Sequence, residues 1–384
     1  MRLLHTSDWH LGRTLHGVDL LDHQAAYLAH LVDVVRAEQV DAVVVAGDVY
    51  DRAIPPVEAV TLLSDTLAQL AEHTTVVVTS GNHDSATRLG FGAGLMRDRV
   101  RLRTRIAGLA EPVVLADEDG DVLVYGIPYL DPDFARASLA EPRGELLARS
   151  HEAVTAAAMS RIRADVAGRS RPARTVVAAH AFVVGGMPSE SERDIRVGGV
   201  DHVSAGVFAG ADYVALGHLH GPQKVTGAPG SVLRYSGSPL AYSFSEQHHA
   251  KSTVLVNLSG SAVTTELIAA PVPRRLADLT GTLDQVLADD RHADDWVRVT
   301  VTDAHRPQDL FRRVRTRFPH ALVVQHVAAA AVGSPRSAVI TSAHDPLAVA
   351  ADFLTHVTGQ GPTPAEVAVL RRAYEDIADA EKSA

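Results

Sequence analysis

Short runs of β-branched and other apolar residues alternate with stretches of helical periodicity over the first eighty residues. Leu3-Leu4-His5-Thr6-Ser7 begins apolar and ends polar, which predicts a first strand. From His23 to Gln39 the apolar Tyr27, Leu31, Val34 and Val35 recur at the i, i+4, i+7 spacing of an amphipathic helix. Asp41 to Gly47 is a Val-rich run closed by glycine and reads as a buried strand. Val57 to Leu70 again predicts a helix, and Thr74 to Thr79 a strand. Such alternation implies parallel strands joined by crossover helices.

Later segments carry a different pattern. Val113–Leu115 and Val122–Ile127 flank Asp117-Glu118-Asp119-Gly120-Asp121, which predicts a hairpin. Glu145 to Val166 is Ala-rich and helical in pattern. Val176–Ala179, Tyr213–Leu216, Val232–Tyr235 and Thr253–Leu258 read as strands, giving a sandwich-like α/β core out to about residue 270. Pro271-Val272-Pro273-Arg274-Arg275 is a stiff, charged linker and the expected boundary. Beyond it, a strand at Trp296–Thr302, a basic helix at Gln308–Arg317 and a strand at Ala321–His326 make a small second unit. From Asp345 onward two helices are expected, broken around Gly359-Gln360-Gly361-Pro362. The expected domains are thus 1–270, 271–340 and a helical segment 341–384.

Composition narrows the chemistry. None of the 384 residues is cysteine, which removes thiolate nucleophiles, zinc fingers, iron–sulfur clusters and disulfide scaffolds. Any metal site must use His, Asp, Glu, Asn and water, and histidine is abundant at 20 copies. A formal charge of −10 argues against a general nucleic-acid coat but leaves room for a local basic groove. The polar N-terminal residues do not resemble a signal peptide, and no apolar run reaches membrane-spanning length, so a soluble cytoplasmic protein is expected. There is no Gly-x-x-x-x-Gly-Lys-[Ser/Thr] loop, and the three lysines are Lys224, Lys251 and Lys382, so no ATP site is recognised.

Five short stretches each follow a predicted strand: Asp8-Trp9-His10, Gly47-Asp48-Val49-Tyr50-Asp51, Gly81-Asn82-His83-Asp84, His180, and Gly217-His218-Leu219-His220. Side chains at the carboxyl ends of strands in open α/β sheets converge on one rim. Asp8 and His10 are expected on one face of an extended segment, as are His218 and His220. A lone histidine after a strand is usually a surface or hydrogen-bonded residue, and Gly-Asp alone is turn chemistry. The ordered set is what carries weight. Asp8, His10, Asp48, Asn82, His180, His218 and His220 supply enough donors for two divalent ions bridged by Asp48, a pair able to clamp a phosphate and activate a water.

These stretches resemble the signature of calcineurin-like metallophosphoesterases. The flanks His5-Thr6-Ser7-Asp8-Trp9-His10-Leu11-Gly12-Arg13, Ala46-Gly47-Asp48-Val49-Tyr50-Asp51-Arg52 and Tyr235-Ser236-Gly237-Ser238-Pro239 are similar to the SbcD-type nuclease subunits within that superfamily. The resemblance continues into Asp352–Gly359, and Ala53 departs from the Val-Asp-Arg-Gly continuation of phosphoprotein phosphatases. It implies a metallophosphoesterase sandwich with a small α+β capping domain and C-terminal helices. It implies one metal on Asp8, His10, Asp48 and His220, and a second on Asp48, Asn82, His180 and His218. The metal would be Mn²⁺, with Mg²⁺ as the alternative. His83 would protonate or stabilise the leaving oxygen, Asp84 would hold the His83 tautomer, and Asp51 would orient a ligand histidine. Arg13, Arg52 and Arg88 are candidate contacts to DNA phosphates. The implied partners are a separate SbcC-type ATPase docked on the C-terminal helices, DNA ends and hairpins, and a second copy of the chain within a heterotetramer. The candidate dimer segments are Val57–Leu70 and the region of Leu89, Phe91, Leu95 and Met96. The implied activity is DNA exonuclease and endonuclease in repair, recombination and replication. The rival reading is a stand-alone dinuclear phosphodiesterase or phosphatase.

Overall fold

The computed structural model describes residues 1–96, 99–141, 144–193, 195, 202–328 and 346–382. The chain forms two compact units, Met1–Pro273 and Arg274–Ala384.

The first unit is built on two six-stranded sheets. One runs in the order Ala262–Ala269, Ser252–Ser259, Arg2–Thr6, Ala42–Ala46, Thr75–Thr79, Val100–Arg103. Its last four strands are parallel, and Arg2–Thr6 pairs antiparallel with Ser252–Ser259, placing Leu4 opposite Leu255. The other sheet runs Gln223–Val225, Val232–Tyr235, Tyr213–Gly217, Arg174–His180, Gly120–Ile127, Val113–Asp117, with parallel pairing through its four central strands. Ala42–Ala46 and Arg174–His180 are buried along their whole length, as expected for parallel strands covered on both faces.

The inner faces meet in a buried apolar layer that includes Leu3, Val44, Val77, Val124, Val176, Ala215 and Val254. On the outer face of the first sheet, helix Leu21–Ala37 buries Tyr27, Leu28, Leu31, Val34 and Val35 beside Leu63, Leu67 and Leu70 of helix Val57–His73. On the outer face of the second, helix His151–Ala167 buries Val154, Ala158, Met159 and Ile162. The result is a helix–sheet–sheet–helix sandwich. The expected helix from Glu145 begins instead at His151, because the Ser150 hydroxyl caps it by accepting the Ala153 N–H at 3.2 Å.

Arg174 fastens the sheets at one edge. Its guanidinium donates to Asp117 and, at 3.3 Å, to the Leu258 carbonyl of the opposite sheet. The arginine holds the Asp117 carboxyl well below the usual carboxylate range. A carboxyl lowered in the folded state stabilises above its unfolded pKa of about 3.9 and loses that contribution as pH falls towards the folded value. Asp117→Asn is therefore expected to cost about 2 kcal/mol at pH 7 and at pH 5. The gap from wild type in urea midpoints should narrow only below about pH 4. An equal gap at pH 7 and pH 3 would show that the ion pair is not its source.

The second unit holds a three-stranded parallel sheet, Leu276–Gly281, Trp296–Val301 and Ala321–His326. Helix Leu310–Arg317 packs Leu310 and Val314 with Phe318 onto Val297, Val299 and Val301. Helices Pro346–Thr358 and Pro364–Lys382 follow. Asp345, from which these helices were expected, lies outside the described residues.

Candidate metal centre

All five motif stretches sit at carboxyl ends of parallel strands, three on the first sheet and two on the second. Two glycines let the strand ends close on each other. A Cβ on Gly217 would run into the Ala46 carbonyl, and one on Gly47, where φ is +84°, would meet His180 Nδ1 at 2.5 Å.

The segment Asp8-Trp9-His10 is not extended as expected. Asp8 and His10 both take left-handed φ, at 55° and 46°, as do Asp48 at 49° and His218 at 108°. Strain of about 1–3 kcal/mol per residue persists only where neighbours over-determine the backbone. Here they do: Asp8 N–H donates to Gly47 O and His10 N–H to Asp48 O, both at 3.0 Å. The Gln24 amide also donates to the Trp9 and His10 carbonyls at 3.2 and 2.8 Å.

The fold brings all seven expected donors together. Asp8, His10 and His220 form one close set, His10, Asp48 and His83 a second, and Asp8, Asp48 and His180 a third. Asn82 Oδ1 lies 2.9 Å from His180 Nε2 and 3.3 Å from His218 Nδ1. His10 Nε2 lies 3.1 Å from His220 Nε2, and Asp48 Oδ2 lies 3.5 Å from His180 Nε2.

The donor chemistry fits divalent cations. His180 Nδ1 points at the Ala46 carbonyl, 2.9 Å away, so its N–H is committed there. Its Nε2 then faces Asn82 Oδ1 and Asp48, both acceptors, and only a proton or a cation can lie between them. Burial holds His10 and His218 far below the ordinary imidazole pKa, which leaves them neutral with lone pairs free. Burial pushes Asp8 up to about 6, against the pull of His180 and His220. His180 is raised to about 9, because Asp48 and Asp8 outweigh its burial. Asn82 Nδ2 and His10 Nδ1 find no hydrogen-bond partner among the described residues.

Other expected residues have different surroundings. Asp84 does not touch the His83 ring: its carboxylate accepts backbone N–H groups of Val49, Tyr50 and Gly81 at 3.1, 2.9 and 2.9 Å. It braces two metal loops, and burial and the charge of Asp48 raise its pKa to about 7. The His83 ring is held instead by the Asp51 carbonyl, 2.7 Å from Nδ1, while the Asp51 carboxylate stands 3.7 Å from His10 Nδ1. Arg13 turns inward, its guanidinium 4.9 Å from the Tyr242 ring centre and donating to Ser191 O at 3.0 Å. Arg52 and Arg88 are exposed, Arg88 donating to Ala53 O at 3.1 Å.

The sequence reading missed the layer behind His220. Ser191, Glu246 and Lys251 lie there, and none belongs to a recognisable motif. The one signal was Lys251, a rare lysine beside the apolar strand Ser252–Ser259.

A family model described as calcineurin-like phosphoesterase matches residues 1–222. The chain belongs to the calcineurin-like phosphoesterases, on their SbcD branch. A second family model, described as the type 5 capsule protein repressor C-terminal domain, matches 272–358 of this SbcD-branch chain. The chain is similar to the SbcD subunit of the nuclease SbcCD from Bacillus subtilis (strain 168), 40% identical over 271 residues. That alignment covers 67% of the chain and 66% of the relative, just under two thirds of its length. The corresponding SbcD protein from Staphylococcus saprophyticus is 28% identical over 334 residues, 84% of each chain. The donor sets lie within the residues that the calcineurin-like phosphoesterase model matches.

Proposed function

We propose that this chain is the nuclease subunit of an SbcCD-type complex, cutting DNA as an exonuclease at duplex ends and an endonuclease at single strands and hairpins. One observation carries the reading: seven ligand-type side chains converge in a chain matched along 84% of its length by an SbcD relative. In this reading Asp8, His10, Asp48 and His220 hold one Mn²⁺, and Asp48, Asn82, His180 and His218 the other, with Mg²⁺ as substitute. When bound, two such ions neutralise phosphate charge and lower the pKa of a water.

The chain's own residues then divide the remaining work. Asp48 Oδ1 accepts the His83 N–H at 2.8 Å and so ties the acid's backbone to the metal-holding loop. Since a carbonyl only accepts, the Asp51 oxygen keeps the proton on His83 Nδ1 and turns Nε2 towards the cavity. Once protonated, Nε2 gives its proton to the leaving 3′ oxygen as the P–O bond breaks, and His83 returns to neutral. Exposed Arg52 and Arg88 stand beside these loops to grip backbone phosphates, which favours ends and structures over sequence.

Two surfaces support the partners. Phe353, Val357, Val369 and Tyr374 are exposed on the C-terminal helices, where an SbcC-type ATPase would dock. Val57, Val60, Phe91 and Leu95 are exposed on the first unit and suit a second copy of the chain. The domain division 1–270, 271–340 and 341–384 belongs to the same proposal, as does action on the chromosome in the cytoplasm. Among the described residues no helix is long and apolar enough to cross a membrane. The stand-alone phosphodiesterase reading is not favoured, because the second family match lies over 272–358, beyond the metal-bearing unit.

The test is cleavage of end-labelled duplex and hairpin DNA with Mn²⁺, with Mg²⁺ and with EDTA, with and without the ATPase partner and ATP. Metal-dependent cutting is expected. Cutting that survives EDTA, or none under any condition, would sink the reading. His83→Gln should lower the rate about a hundredfold, within the range for general acids, while Mn²⁺ affinity stays within about twofold of wild type. Loss of Mn²⁺ affinity in that variant would make His83 a ligand instead.

A further inference from the structure

Behind the candidate ligand His220 lies a buried chain of hydrogen bonds whose direction can be worked out. Glu246 is 1% exposed. Its Oε2 accepts from the Lys251 ammonium and lies 3.3 Å from Ser238 Oγ, whose own proton has a closer acceptor in the Leu240 carbonyl at 2.8 Å. Its Oε1 accepts the Tyr242 N–H at 3.1 Å and the Ser191 hydroxyl. Lys251 is itself held by Ser238 Oγ at 2.9 Å and the His220 carbonyl at 3.0 Å. An ionised carboxylate has no proton to give, so Ser191 must be the donor on that side. A hydroxyl has one proton. Ser191 Oγ therefore has only acceptor capacity left for its remaining neighbours, Ser189 Oγ at 2.9 Å and His220 Nδ1 at 2.7 Å, and the same Nδ1 also lies 3.2 Å from Glu246 Oε1.

This sets the tautomer of the ring. His220 carries its proton on Nδ1, and the lone pair of Nε2 points into the cavity, 3.1 Å from His10 Nε2. The backbone is fixed as well, since His220 N–H donates to Glu192 Oε1 at 2.8 Å. Ser189 and Arg13 steady this loop, Ser189 donating its N–H and hydroxyl to Glu192 Oε2 at 2.6 and 2.7 Å, and Arg13 bonding the Ser191 carbonyl. A metal ligand whose second ring nitrogen is held by such a partner keeps its orientation and basicity, and loss of the partner typically costs about 10–100-fold in metal affinity.

We propose that Ser191 and Glu246 are positioning residues of the metal centre, acting together on one ring nitrogen, Ser191 as the closer partner, to hold His220 with Nδ1 protonated and Nε2 open to a cation. The inference rests on the proposed reading of His220 as a ligand. It assigns Ser191, from a loop without any recognised motif, a part in metal retention.

Two measurements on the full chain test it. The first is the His220 tautomer in metal-stripped wild-type protein, read from histidine ¹⁵N shifts and assigned by the signal that His220→Gln removes. Protonated Nδ1 is expected, and protonated Nε2 would overturn the proposal without any variant having to fold. The second is calorimetric titration of the stripped chain with Mn²⁺. Ser191→Ala should weaken binding about tenfold or more, with Ser191→Thr within about twofold of wild type and thermal midpoints of both unchanged. Wild-type affinity in Ser191→Ala overturns the positioning role while leaving the metal centre intact. Failure of wild type to bind Mn²⁺ at all removes the metal-centre reading and this proposal with it.

Discussion

Asp48→Ala is expected to lower metal-dependent phosphodiester hydrolysis by about a thousandfold or more. Asp48 belongs to two of the three close donor sets, and its Oδ2 stands 3.7 Å from His10, 3.9 Å from His83 and 3.5 Å from His180. Metal charge at a phosphate is worth several kcal/mol in the transition state, and about 4 kcal/mol corresponds to a factor near 10³. The variant should nevertheless fold. Asp48, Asp8 and Asp84 crowd like charges into one buried site, and Asp48 helps push the Asp8 and Asp84 carboxyls upwards. Removing it relieves that repulsion while forfeiting attraction to His180 and His10. In EDTA the thermal midpoint should therefore stay within a few degrees of wild type. Mn²⁺ should then separate the two proteins. A ligand at about 100 times its Kd stabilises the state that binds it by about 2.7 kcal/mol, and wild type should show that rise while Asp48→Ala shows little. Retained activity in the variant, or an equal Mn²⁺-induced rise, would place the bridging carboxylate elsewhere.

The contrast between Asp48 and Ser191 shows what a sequence can reveal here. Asp48 announces itself because Gly47-Asp48 follows a Val-rich strand, and parallel strands deliver their carboxyl ends to one rim. The sandwich was legible for the same reason: β-branched runs such as Val43–Val45 and Val76–Val78 have few other destinations. Pairing partners were not legible, because nothing local to Leu3–His5 says that it lies against Val254–Val256. Backbone sign was hidden too. Asp8 and His10 were expected on one face of an extended segment, yet left-handed turns aim them, enforced by Gln24 and the Gly47 and Asp48 carbonyls. Asp84 was expected at the His83 ring because it is next in sequence. Three unpaired N–H groups of the converging loops claim it instead, a demand that exists only after folding. Ser191, Glu246 and Lys251 come from a loop, a short 3-10 helix and a strand edge, so no spacing rule joins them to His220.

That hidden layer also carries the largest expected effect on stability. Glu246→Ala should destabilise the first unit by about 3–5 kcal/mol, the cost of leaving a buried ion without its partner. Glu246 and Lys251 are 1% and 4% exposed, so water cannot take over when one is removed. Burial alone would raise the Glu246 pKa, yet Lys251 and His220 hold it well below the usual carboxylate range. Lys251 is lowered by burial against the same pairing. The two halves are not equivalent. Lys251→Met leaves Glu246 with the Tyr242 N–H and the Ser191 hydroxyl as donors, whereas Glu246→Ala strips an acceptor from both and leaves the ammonium without its countercharge. Urea unfolding should therefore rank Glu246→Ala below Lys251→Met. Glu246→Leu combined with Lys251→Met should recover part of the loss, since replacing a whole buried pair by apolar groups is often neutral. A Glu246→Ala penalty under about 1 kcal/mol, the scale of an exposed pair, would mean that water reaches the carboxylate site in solution. The ordering of His220 would then have to come from Ser191 Oγ and from its backbone bonds to Glu192 and Lys251.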